Sequence, residues 1–196
     1  MTQLDAQDTD LIIHRTMLWV ERVVVGLQLC PFAKPVLTKG LIRYVVCAER
    51  EQGLVTDCLD SELGLLRDSD PAVIETTLLI LPDLEGDFLD FHFLVESCRK
   101  RLKALGVRGV LQLADFHPQY EFAGSEPRDA ANATNRSPYP TLHLLREDSI
   151  ERARNSGLSA ESIVERNQRN LRGMGWEALH SILQLPVDVP TGNIKN

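Results

Sequence analysis

Between Asp10 and Gly26 the apolar positions Ile12, Trp19, Val20 and Val23 recur at helical spacing and continue to Leu27, with Asp8, Thr9 and Asp10 placed to cap the start. The residues before them carry no such period, so 1–9 are expected to be a frayed N-terminus. Gly40 precedes Leu41–Ala48, a short run rich in β-branched residues, which predicts a strand. Residues 51–67 place Val55, Leu59, Glu62 and Leu66 on one side of a helix. Glu75–Leu81 is apolar on both faces and is stopped by Pro82, as a buried central strand would be. The strongest stripe is Phe88, Phe91, Val95, Cys98, Leu102 and Leu105, closed by Gly106 where a C-cap glycine belongs. Gly109–Ala114 then reads as a third strand and Thr141–Arg146 as a fourth. Helices over about 148–155 and 160–184 complete the domain, and 186–196 is expected to be a loose tail.

Strand, helix, strand, helix, strand is the order of crossover connections onto parallel strands. The expected fold is therefore α/β: one compact domain over 10–185 with a small, mostly parallel sheet of three to four strands and helices packed on it. The strand at 141–146 is expected as an antiparallel edge.

Composition agrees with a globular domain. The 196 residues are 43% hydrophobic and 25% charged, which excludes disorder as a description of the whole. The formal charge of −7 argues against a nucleic-acid partner, which would be held through its phosphates, but leaves room for one small anion in a local basic pocket. No apolar run reaches the roughly 18 to 20 residues a membrane span needs, and the acidic N-terminus lacks the pattern of an export signal. A cytoplasmic location without membrane association is the expectation, and with it reduced thiols. The cysteines at 30, 47, 58 and 98 contain no C-x-x-C pair, and Cys47, Cys58 and Cys98 read as small hydrophobic residues. Neither a GxGxxG nor a Walker pattern occurs, so no nucleotide or other cofactor is expected.

One stretch breaks the periodicity. From Asp115 to Pro140, 26 residues pass with no sustained pattern, longer than ordinary loops in compact domains. The stretch is too aromatic for disorder, and it leaves the C-terminal end of a strand, where open α/β sheets bind their ligands. It holds His117, a proton carrier near neutral pH, and the aromatic Tyr120. Asn132 and Asn135 offer amides, Arg136 a fork for a carboxylate or phosphate, and Ser137 a hydroxyl. His143 and Arg146 follow directly. As strand residues they face opposite sides of the sheet; as a helical turn they would share one.

Cys30 adds a nucleophile to the list. In Leu29-Cys-Pro-Phe-Ala33 the proline can take the first helical position and the cysteine the cap, where backbone N–H groups favour a thiolate. Three blocks, Gly26–Ala33, His117–Gly124 and Asn132–Glu147, together resemble those of a bacterial family of uncharacterised proteins of about this length, over roughly residues 10–185. The resemblance implies a single cytoplasmic domain and carries no catalytic role to any residue.

Three uses follow from these groups. The first is an enzyme for a small anionic metabolite, a hydrolase or transferase, with Cys30, His117 and His143 catalytic. Tyr120, Asn132, Asn135, Arg136, Ser137 and Arg146 would then hold the substrate. The second is a metal site from His117 and His143 with Asp115 or Glu121, although no metal-binding spacing supports it. The third is a module that senses an anion or binds a partner without turning anything over.

Overall fold

The computed structural model describes residues 4–154 and 160–183; the expected tail lies outside them. Four strands form one sheet: β1 (Ile42–Val46), β2 (Thr76–Ile80), β3 (Leu111–Phe116) and β4 (Thr141–Arg146). Their order is β1-β2-β4-β3. β1 and β2 are parallel, while β4 runs antiparallel to β2 on one side and to β3 on the other. The protein is α/β as expected, but the sheet is mixed, and β4 lies inside it rather than at an edge. The reason is the length of the 115–140 segment. It carries the chain from the end of β3 back into the gap between β2 and β3, where β4 satisfies both ladders.

Helices cover both faces. The side chains of Val45, Leu79, Leu111, Leu142 and Leu144 pack against α3 (Gln52–Asp68) and α4 (Phe88–Ala104), through Leu59, Leu63, Phe91, Leu94 and Val95. The other face meets α1 (Ala6–Trp19), the short α2 (Ala33–Thr38), a 3-10 segment (Ala130–Asn135), α6 (Ala160–Met174) and α7 (Trp176–Leu183), with Trp19, Val23, Ala133, Leu171 and Leu179 in the core. The remaining helix, α5 (Glu147–Arg154), follows β4 directly. Period-two alternation along β4 thus sends Leu142 and Leu144 to one layer and His143 to the other.

Local chemistry moves several boundaries. α1 starts at Ala6 because the Asp5 carboxylate accepts from the Asp8 N–H at 2.8 Å, earlier than the expected cap. The chain then widens into a π-helical stretch, Val20–Val25. Gly26 closes it, and a Cβ there would lie 2.2 Å from the Arg22 carbonyl oxygen, so no larger residue fits without backbone movement. The helix expected over 160–184 is two helices, parted at Gly175, whose φ of +80° an L-residue rarely adopts.

Candidate functional site

The long loop is held together by its own polar side chains. Asn132 is fully buried; its Oδ1 accepts from the Phe122 N–H (3.0 Å) and the Ser125 hydroxyl (2.9 Å), and its Nδ2 donates to the Glu126 carbonyl (2.9 Å). Asn135 fastens the loop to β3: its Nδ2 donates to the Asp115 carbonyl at 3.1 Å, and its own carbonyl accepts from the His117 N–H at 3.1 Å. The Ser137 hydroxyl donates to the Tyr139 carbonyl at 2.6 Å. Tyr120 packs its ring against Phe88 and Phe122, each at 5.2 Å between centroids. Asn132, Asn135 and Ser137 are therefore engaged in building the loop, as turn-forming side chains are.

His117 leaves β3 on the α4 side, with its ring 5.2 Å from Phe88 and 5.0 Å from Phe91. Its Nδ1 accepts from the Gln119 N–H at 3.1 Å, which assigns the proton of the neutral ring to Nε2. Burial pushes its pKa down to about 4. His143 lies on the opposite face, with Nε2 2.7 Å from the Thr76 hydroxyl. That hydroxyl has one hydrogen and gives it to the Leu144 carbonyl at 2.6 Å, so His143 is the donor to Thr76. Burial lowers this pKa to about 4 as well.

Cys30 does not cap a helix. Cys30–Ala33 is a turn closed by the Ala33 N–H on the Cys30 carbonyl (3.2 Å), and α2 begins only at Ala33. Burial raises the thiol pKa, outweighing the opposing pull of the Phe32 and Ala33 N–H groups and of Arg166. Among the described residues no imidazole is one of the groups acting on it. Arg146 shares the α3/α4 face with Leu142 and Leu144, and its Nη2 donates to the carbonyls of Leu66 (2.6 Å), Ser69 (2.8 Å) and Ile74 (3.1 Å). It clamps the end of α3 to the approach of β2, away from the loop. The two histidines occupy opposite faces, and Asp115 is ion-paired with Arg99 at 2.7 Å. Among the described residues no three His, Cys, Asp or Glu side chains lie together as metal ligands would.

Arg136, also nominated by the sequence, lines a groove. Its Nε donates to the Tyr120 carbonyl (3.1 Å) and its Nη2 to the Pro127 carbonyl (2.7 Å), while the guanidinium stacks 4.7 Å from the Trp176 ring centroid. Its Nη1 has no acceptor among the described residues. The groove, about 440 Å³, runs between the start of α4 (Asp87, Phe88, Leu89) and the loop residues Pro118, Glu121 and Arg136. Burial lowers the Arg136 pKa, and Glu121 opposes that by its charge. Asp87 caps α4 by accepting from the Leu89 (2.8 Å) and Asp90 (3.1 Å) N–H groups. Sequence reasoning missed Asp87 and Leu89 as site residues, although Asp87-Phe-Leu-Asp90 before the apolar stripe is a legible capping pattern.

A second groove of about 480 Å³ brings Arg166 and Arg169 of α6 beside Gly26 and Gln28. Arg166 donates to the Gln28 carbonyl (2.7 Å) and Asn167 to that of Leu29 (2.6 Å), so α6 fastens the turn that leads to Cys30. No local motif links residues 138 positions apart, which is why the sequence did not reveal it.

Fold and grooves together define a small α/β domain with a self-laced loop at the end of its sheet. The chain belongs to a protein family of unknown function, DUF1415, whose profile matches residues 11–181. No curated protein and no solved structure matches it significantly. No described helix is long and apolar enough to cross a membrane.

Proposed function

We propose that the protein binds a small zwitterion in the groove between α4 and Arg136, its carboxylate on Arg136 and its cationic group facing Asp87 and Glu121. The observation that carries this reading is the state of Arg136. Two of its nitrogens are fixed on carbonyls, its guanidinium lies over Trp176, Nη1 has no acceptor among the described residues, and the side chain lines the groove. A guanidinium held this way is pre-organised for a carboxylate. The two carboxylates on the same walls make the groove's charge sum to one negative, which disfavours a bare phosphate or dicarboxylate and favours a ligand carrying both signs.

The Cys–His hydrolase or transferase reading has less support, because burial raises the Cys30 thiol pKa and the imidazoles are engaged elsewhere on two different faces. A binding module needs neither group reactive.

Calorimetric titration with a panel of α-amino acids, simple carboxylates and inorganic phosphate tests the proposal. At least one amino acid binds better than its deaminated analogue; Arg136→Gln and Glu121→Gln each weaken that binding about tenfold or more, as loss of a charge-assisted bond predicts. Equal binding of the deaminated compound, or preference for phosphate, overturns it. Glu121→Gln guards against loop unfolding, since among the described residues Glu121 makes no hydrogen bond that shapes the loop.

A further inference from the structure

The other end of β3 carries a second surface. In an antiparallel ladder the N–H and C=O of one residue point the same way, and alternate residues point opposite ways. The Leu81 N–H bonds the Pro140 carbonyl, so the even-numbered residues of β4 face β2 and the odd-numbered ones face β3. Opposite them in register stand Gln112, Ala114 and Phe116, which leaves Leu111, Leu113 and Asp115 directed away from the sheet. Three bonds agree: outside the ladder the Leu111 N–H reaches Val107, the Asp115 carbonyl accepts from Asn135, and the His117 N–H reaches Asn135. The loop therefore covers the upper part of this edge with Asn135. Below it, the Leu113 N–H and C=O have no partner among the described residues.

A groove of about 410 Å³ lies beside this gap, between β3 and α4, with Leu111 and Leu113 on its floor. Its rim carries Arg99, Lys100, Lys103 and Arg108 against Glu96 and Glu147. Arg99 is paired with Glu96 and Asp115, but Lys100, Lys103 and Arg108 have no carboxylate within ion-pair distance among the described residues. In a chain of net charge −7 this is a local excess of positive charge.

We propose that this edge takes up an extended acidic peptide segment of a partner protein as a fifth strand beside β3. Backbone bonds to Leu113 would set the register, and acidic side chains at every second position would face Lys100, Lys103 and Arg108. Charge decides between occupants: a second copy pairing β3 with β3 would set the same cations against each other.

The probe is a fluorescein-labelled six-residue peptide alternating glutamate and valine, followed by anisotropy against the full chain. Binding is saturable, at least tenfold weaker for Lys100→Glu/Lys103→Glu, and at least tenfold weaker for a peptide N-methylated at the residues that would bond Leu113. Both variant positions are exposed, so the fold is retained. No binding, or equal binding of the N-methylated peptide, overturns the proposal, the latter by reducing the contact to charge alone. So does sedimentation showing that the chain dimerises and that peptide does not compete.

Discussion

Among the described residues, Tyr44 Oη, Thr77 Oγ1 and Arg146 Nε are buried without a hydrogen-bond partner. Burial also pushes the Tyr44 phenol up to about 12, so it stays protonated and unpaired. Removing an unsatisfied polar group while keeping its ring is favourable, so Tyr44→Phe raises stability by about 1 kcal/mol, read as a higher urea midpoint at unchanged slope. The histidines make a prediction with a definite sign. Both have native pKa values of about 4 against 6.5 unfolded, so the unfolded chain binds more protons between those limits. Their contribution to stability is present above pH 6.5 and is lost as pH falls toward 4, by about 2 kcal/mol for each ring at pH 5. Imidazole NMR shifts then place both rings neutral, with the proton on Nε2, at pH 6; a midpoint near 6.5 for either contradicts its burial. At this scale the sequence displays which polar and titratable side chains are present, but not what each is bonded to. Asn132, Asn135 and Ser137 are as polar in a loop that binds itself as in one that binds a ligand.

Elements depend on a few of these groups. Arg146 holds three carbonyls from α3 and the following turn, all contributed by residues more than 70 positions away. Arg146→Met leaves them unpaired in a buried place and costs about 3 kcal/mol or more, while Arg146→Lys recovers only part of it because an ammonium cannot reproduce the fork. Gly26→Ala is also destabilising, since the added methyl meets backbone rather than a side chain that could turn aside. Thermal unfolding of the three variants checks both statements. The four strands were legible as short apolar or β-branched runs, and most of the helices as periods of three to four. The position of β4 was not, because alternation reports burial and says nothing of which neighbour a strand joins. The turn at Cys30 is not legible for a related reason: Pro31 suits the first position of a helix and the second of a turn equally well.

The whole molecule is a sheet with two helical layers, and that layering separates what the sequence grouped. His117 and His143, 26 positions apart, end on opposite faces. Arg146 follows the leucines to the α3/α4 side, and Cys30 sits in a turn fastened by α6. What the layers do bring together is the start of α4 and both the early and late parts of the loop, from which Asp87, Glu121 and Arg136 share one groove. With a ligand in that groove, as proposed, the Cys30 thiol is dispensable to binding. The most direct measurement is an amide and arginine side-chain NMR titration of the wild type and of Cys30→Ala with the tightest-binding amino acid. The expected shifts concentrate at Leu89, Gln119, Glu121 and the Arg136 Nε–H, with equal affinity in both proteins. Shifts centred on Phe32, Ala33 and Arg166, or binding lost in Cys30→Ala, would overturn the proposed site.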